Sequence, residues 1–360
     1  MIDDVDPFIG TGVTDLGVPD GLAATWWWPK PPVGNTHPGA THPLGMVSAC
    51  AYSGAYPTGY GIHDLGTEGV PPPLHDRLRA SGFTHFQQSG TGAIRKYYNY
   101  YRVTPMLGPL DELGTLWDLD HEVAHPGYYA ADLAADATDP QRSIHCELTV
   151  GPKSAVHRYT FPAHDSARIV VDFSHGGLTI EHGRTVPTTA GLRVIEPGIA
   201  QGELVVEGAP LAVHLECDTP GWRTMLWYDR RLMPGGTQLD FDSIRPTTLR
   251  PFGLLFMGPT DEQQAVELRL GFSLRGVERA HANLTADVRS RARSFDTRRE
   301  DTGRAWSHML DRIHVDTGSD DRATVFSTAL YHSLIKPCFA RDESPFFSAS
   351  GPFVFDIATM

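Results

Sequence analysis

Apolar and polar positions along this chain follow two different periods. From about residue 126 to 273, apolar positions come in short β-branched and aromatic runs broken by Gly, Pro and Asp. Residues 155–161 form one run, which stops at Pro162, and 168–173 follow after a polar turn. Residues 203–207, 212–217, 223–228, 252–257 and 266–270 continue the series. Short strands separated by turn residues predict a sandwich of antiparallel sheets. After Ser273 the period lengthens to about 3.6 residues, and Val277, Ala280, Leu284, Val288, Ala292 and Phe295 make one stripe of an amphipathic helix. A second helical segment runs through Ala305, Trp306, Met309, Leu310 and Ile313. A third begins at the N-cap cluster Ser319-Asp320-Asp321, carries Ala323, Phe326, Leu330 and Leu334 on one face, and stops before Pro337. The chain thus reads as mainly β, with an antiparallel β-sandwich over 1–273, a helical linker over 274–318, and the first helices of a further domain over 319–360. It ends in an apolar run, so that last domain is expected to be incomplete.

Residues 1 to about 125 carry few periodic runs and are rich in Gly, Pro, His and aromatic residues. Trp26, Trp27 and Trp28 precede Pro29, and Pro71-Pro72-Pro73 stand together. Prolines this dense forbid helix and central strand. Ordered loops at the rim of a site or an interface are expected, since a linker rarely carries three tryptophans.

Composition narrows the class. Hydrophobic residues make up 41% and charged residues 20%, the balance of a globular protein, while 36 glycines and 28 prolines imply many turns. With 43 acidic against 30 basic residues the formal charge is −13, which repels phosphate backbones and disfavours nucleic acid as a partner. Neutral sugars are indifferent to that sign. No run approaches the roughly 18 apolar residues of a membrane span. The first residues lack a signal-peptide pattern, so the cytoplasm is the default expectation. Cys50, Cys146, Cys217 and Cys338 show no metal or redox spacing, and buried free thiols are expected.

The candidate chemistry is sparse. Thr36-His37-Pro38 and Thr41-His42-Pro43 repeat a unit, yet no carboxylate accompanies the histidines, and hydrogen bonding within a rigid loop is the better reading than a metal site. Ser89-Gly90-Thr91-Gly92 lacks the Gly-Lys-Ser/Thr ending of a phosphate loop. Its amides and hydroxyls suit a sugar hydroxyl or a plain β-turn. Asp111, Glu112, Asp118, Asp120, Glu122, Asp240, Asp242, Asp320 and Asp321 sit in polar stretches where solvated acids are expected. None stands out as a proton donor, so no catalytic residue and no metal ligand is assigned within the chain.

Several stretches, in order, resemble glycoside hydrolase family 92, the calcium-dependent exo-acting α-mannosidases. They are Val5-Asp6-Pro7-Phe8-Ile9-Gly10-Thr11-Gly12, Gly34-Asn35-Thr36 with Pro38-Gly39-Ala40 and Gly45-Met46, and Gly82-Phe83-Thr84-His85-Phe86 with Ser89-Gly90-Thr91-Gly92. His125-Pro126-Gly127-Tyr128-Tyr129, His157-Arg158-Tyr159-Thr160-Phe161 and Ala329-Leu330-Tyr331-His332-Ser333-Leu334-Ile335 complete the match. The resemblance implies a β-sandwich, a helical linker and a C-terminal (α/α)6 barrel, with the site at their junction. It also implies inverting hydrolysis, with the acid, the base and the calcium ligands drawn largely from the barrel. The expectation is therefore the N-terminal portion of such an enzyme, whose partners are an α-mannoside or other glycan and a missing C-terminal barrel. His85, Ser89, Gly90, Thr91 and Gly92 are the expected substrate-binding residues, with Trp26, Trp27 and Trp28 as stacking surfaces. Ala93 stands where many members have cysteine, and His37 and Leu44 where phenylalanine is usual, so substrate preference is expected to differ. The alternative is a non-catalytic, stand-alone carbohydrate-binding or assembly module.

Overall fold

The computed structural model describes residues 1–13, 21, 34, 36–55, 58–62, 74–87, 99–134, 139, 142–174, 179–180, 183–184, 188–206, 209–217, 219–245, 250–287, 294–336, 338–339, 342–344 and 354–355. Their strands form two large sheets in which every pairing is antiparallel. The first sheet runs, in spatial order, Ala40–Thr41, Ser48–Ala51, Phe83–His85, Tyr100–Met106, His164–Asp172, Phe252–Thr260, Arg223–Tyr228 and Arg231–Met233. The second runs Gln238–Phe241, Thr189–Glu196, Ile199–Val206, Ala209–Glu216, Gln264–Ser273, Ser154–Phe161, Ser143–Val150, Tyr128–Ala134, Trp117–His125 and Arg79–Ala80.

The sheets face each other across one apolar core. Phe83, Tyr101, Val103, Ile169, Val171 and Leu254 come from the first sheet, and Leu148, Tyr159, Leu204, Val213, Leu268 and Phe272 from the second. Period-two alternation is plain in Ile199–Val206, where every second residue is buried. Residues before 125, which carry no periodic signal, nonetheless supply several strands. Tyr100–Met106 is buried at every position, so it shows no alternation to detect. Pro105 is accommodated there because pairing with Phe83–His85 extends only from Tyr100 to Val103.

A polar chain crosses the seam between the sheets. His85 Nδ1 lies 3.3 Å from the Tyr100 carbonyl, His85 Nε2 lies 3.1 Å from His157 Nε2, and His157 Nδ1 lies 2.6 Å from the Tyr159 hydroxyl. A carbonyl only accepts, so His85 Nδ1 carries the proton and its Nε2 accepts. His157 then donates from Nε2 and accepts the Tyr159 hydroxyl at Nδ1. Both rings are neutral. Burial pushes His85 down to about 4, and it lowers His157 well below its ordinary range, with the neighbouring His85 adding to the shift.

Three helices follow the sandwich. The last strand closes at Ser273 and α1 (Val277–Asp287) opens four residues on. The single stripe expected from Val277 to Phe295 is in fact two elements: Phe295 starts α2 (Phe295–Leu310), capped by the Ser294 side chain accepting from the Thr297 amide. A shared apolar spacing cannot register a break that a cap imposes. Ile313 lies beyond α2 and is exposed. α3 (Asp320–Ser333) begins at Ser319 as its cap signals indicate, but its buried face is Ser327, Thr328 and Tyr331. Polar atoms pull that face inward: Thr328 Oγ1 accepts the Asp6 amide, and the Tyr331 hydroxyl meets Thr41 Oγ1 at 2.8 Å. Trp306, Leu310, Tyr331, Ile335 and Val5 form a small core of their own. No helix among the described residues is long and apolar enough to cross a membrane. All four cysteines are buried thiols outside any disulfide.

One carboxylate ties the C-terminal segment to both parts. Glu343 is fully buried and accepts from Ser273 Oγ (2.7 Å), the Leu274 amide (2.9 Å), Asn283 Nδ2 (2.7 Å), Lys153 Nζ (3.2 Å) and Arg279 Nε (3.4 Å). Removing a buried charge from its partners typically costs about 3–5 kcal/mol. Glu343→Ala should therefore lower the unfolding free energy by about that amount in urea titrations, while Arg304→Ala, whose ion pairs are exposed, should change it by less than about 1 kcal/mol. Equal effects would remove Glu343 from this role.

The histidine seam sets an acid limit. In the unfolded chain both rings titrate near 6.5. Between about pH 6.5 and 4 the unfolded chain takes up protons that the folded one refuses, so stability present above pH 6.5 is lost as pH falls. His85 alone should cost about 3 kcal/mol by pH 4, read as a falling urea midpoint. A flat profile through that window would mean the rings are not held neutral.

Candidate functional site

At the junction of sandwich and helices, loops from distant parts of the chain meet. Gly34 and residues 36–46 belong to the first. Gly34 packs against the Gly10 carbonyl where a Cβ would clash, and Gly39 backs onto Cys50 and Ala49 with the same lack of room. That close approach places His37 inside. Its Nδ1 accepts the Gly39 amide at 3.1 Å, so the neutral ring carries its proton on Nε2 and presents a donor. His42 Nδ1 faces the Pro43 carbonyl at 3.1 Å, and burial pushes this ring down to about 4. The helices grip the same loop. Trp306 Nε1 donates to the Thr41 carbonyl at 2.7 Å, Leu44 donates to the Leu334 carbonyl at 2.7 Å, and the Phe339 amide donates to Leu44 at 2.8 Å.

Gln87 follows the strand Phe83–His85. Its amide nitrogen donates to the Cys50 and Ala51 carbonyls, each at 3.3 Å, which leaves Oε1 as an acceptor. Among the described residues, Gln87 Oε1, His37 Nε2 and His332 Nε2 on α3 are buried without a hydrogen-bond partner. His37 is pushed down to about 3, by burial first and then by His332 and Lys336, with the Gln87 main chain beside it acting the other way. Burial likewise lowers His332, while Asp6 raises it. An unpartnered buried polar atom costs about 1–3 kcal/mol, and a bound polar ligand is one way to relieve it; Asn99 Nδ2, Arg102 Nε, Trp222 Nε1 and Arg298 Nε are further cases elsewhere. The His37 Nε2 proton is a donor and Gln87 Oε1 an acceptor, the two functions that a sugar hydroxyl combines.

Of the expected sugar contacts, His85 is fully buried, with both ring nitrogens engaged in the core seam. Its sequence neighbour Gln87 is the residue that reaches the junction unpartnered. Ser89, Gly90, Thr91 and Gly92 follow directly, and these, like Trp26, Trp27 and Trp28, lie outside the described residues. His37, Gln87 and His332 had no distinctive sequence signal beyond the repeated Thr-His-Pro unit and the block around Tyr331.

Most of the acids are solvated. Asp111, Asp120, Asp240, Asp242, Asp320 and Asp321 are exposed, and Asp118 is half-buried. Glu122 differs: its Oε1 accepts the Tyr129 and Tyr60 hydroxyls at 2.6 and 3.0 Å, and burial raises its pKa. Calcium requires several oxygen donors in one place. Among the described residues, the one cluster of three potential ligands is His214, Glu216 and His281, whose imidazoles do not suit calcium. These residues therefore do not make a calcium site.

Comparison with known proteins gives this junction a context. The model of the glycosyl hydrolase family 92 N-terminal domain matches residues 4–273, and that of the glycosyl hydrolase family 92 catalytic domain matches residues 279–354. No curated protein sequence matches. Among solved structures, the chain is similar to the family GH92 α-mannosidase BT3965 from Bacteroides thetaiotaomicron, at 20% identity and a TM-score of 0.71 over 95% of this chain and 42% of that one. It is also similar to the GH92 family glycosyl hydrolase CcMan5, at 23% identity and a TM-score of 0.69 over 94% and 42%. A third is the family GH92 inverting mannosidase BT2199 from Bacteroides thetaiotaomicron VPI-5482, at 18% identity and 0.69 over 98% and 43%. The chain thus spans less than half the length of the mannosidases whose fold it shares. Two family models, matched in order across nearly all of its residues and meeting where sandwich gives way to helix, mean that this chain belongs to glycosyl hydrolase family 92.

Proposed function

We propose that this chain is the sandwich portion and helical opening of an inverting, calcium-dependent exo-α-mannosidase, and that it supplies sugar-binding groups to a site completed by a barrel segment outside residues 1–360. The division proposed is 1–273 for the sandwich, 274–318 for the linker and 319–360 for the start of the barrel. The observation that carries the reading is that His37 Nε2, Gln87 Oε1 and His332 Nε2 are buried and unpartnered, with the His37 ring under the influence of His332 and of the Gln87 main chain. His332 lies within a stretch that resembles the family, Gln87 lies between the resembling segments 82–86 and 89–92, and His37 stands where the family usually has phenylalanine.

In this reading the chain's residues bind and orient rather than cleave. His37 stays neutral across the physiological range and offers its Nε2 proton to a sugar oxygen, while Gln87 Oε1 accepts from a hydroxyl. The carboxyl pair that inversion requires, about 6.5–9.5 Å apart with a water between, is assigned to the barrel, and the calcium ligands with it. A mannosidase of this family has been solved with mannoimidazole bound, which supports a mannose-configured ligand.

Two measurements test this. Residues 1–360 alone should not turn over an aryl α-mannoside with calcium present; turnover abolished by a chelator would overturn the assignment of the cleaving groups to the barrel. Gln87→Ala should weaken α-mannoside binding about three- to tenfold, the loss of one hydrogen bond, and should also lower the melting temperature because the Cys50 and Ala51 carbonyls lose their donor, so affinity is read at a temperature where the variant is folded. Unchanged affinity would take Gln87 out of the sugar site.

A further inference from the structure

A second cluster lies on the opposite side of the second sheet, away from the core. Gln201, His214 and Gly271 are cross-strand partners in one row, and Glu216 pairs with Arg269 in the next. His214 and Glu216, two apart on one strand, share a face. α1 crosses that face closely because Gly271 has no side chain: a Cβ there would come within 2.6 Å of the Leu284 Cβ. The close crossing lays the His281 ring against that of His214, with centroids 4.4 Å apart.

We infer that His214, Glu216 and His281 form a binding site for a divalent transition metal of the zinc class, which pins α1 to the sheet. Nothing in the proposed mannosidase role requires it. One donor atom from each residue lies within 4.8 Å of the other two. His214 Nε2 and Glu216 Oε1 are 3.3 Å apart, and bonds of about 2.0–2.1 Å to a tetrahedral zinc place adjacent donors about 3.3 Å apart. One edge of the tetrahedron is therefore already set on a rigid strand. His281 is exposed and free to turn its ring onto the metal, and a water would complete four-coordination.

Polar neighbours contact two of the three ligands. Gln201 Nε2 lies 3.1 Å from His214 Nδ1 and donates to it, so without metal the ring proton sits on Nε2 facing Glu216; metal binding at Nε2 moves that proton to Nδ1 and requires the Gln201 amide to turn so that its oxygen accepts it. Arg269 lies 3.5 Å from the other Glu216 oxygen and holds the carboxylate in place. Two imidazoles and one carboxylate select zinc, nickel or cobalt over calcium and magnesium.

The test is calorimetric titration of the untagged, chelator-stripped chain with zinc chloride, alongside visible absorption with cobalt(II). The expected result is one equivalent bound with micromolar affinity, a tetrahedral cobalt spectrum and a raised melting temperature. His281→Ala, at an exposed helix position, should weaken binding roughly tenfold or more and remove the thermal shift, and Gln201→Leu should weaken it by about tenfold. His121→Ala, at an exposed histidine paired with Asp132 elsewhere, should change nothing. No saturable binding, equal affinity in His281→Ala, or loss of binding in His121→Ala would each overturn the assignment.

Discussion

The contact on which the arrangement depends is the buried carboxylate of Glu343. It accepts from the turn at Lys153, from the end of the last sandwich strand at Ser273 and Leu274, and from Arg279 and Asn283 on α1. A charge taken fully out of water is tolerated only when donors surround it. Those donors come from three places, which Asp287 (to the Lys153 amide and Ser154) and Asn283 (to the Phe272 carbonyl) also join, so the carboxylate and the handover from strand to helix stabilise one another. Trp306 and Tyr331 on Thr41 fasten the second side of the same joint.

That joint explains why polar groups accumulate at the sandwich's end. Two sets of buried histidines make the contrast. His85 and His157 sit mid-core, and every ring nitrogen has a partner, so the pair acts as a structural relay between the sheets. His37 and His332 sit where loop meets helix, and each keeps one ring nitrogen unpartnered. Satisfied polar atoms specify a core, whereas unsatisfied ones carry an energetic cost that a ligand can relieve.

The outer face of the second sheet follows the same logic of close approach. Gly271 lets α1 descend, and the descent sets an exposed helical histidine over a buried strand histidine. Neither residue would be notable alone. Their chemistry arises from the crossing.

The sequence by itself determined the class of the protein and the order of its parts. Period-two runs from residue 155 onward became strands, the Ser319 cap became the start of α3, and six short blocks in order indicated the family. These signals are local, and local backbone preference is what they report. Tertiary structure alone decided the rest. The strand Tyr100–Met106 is buried on both faces and so has no alternation to read. The break between α1 and α2 hides inside a continuous apolar stripe, and the buried face of α3 is chosen by hydrogen bonds from Thr328 and Tyr331 to residues more than 280 positions away. The candidate site was legible only as nearby motifs, because whether His85 or Gln87 faces the junction depends on which ring nitrogens and amide oxygens find partners once the sheets have closed.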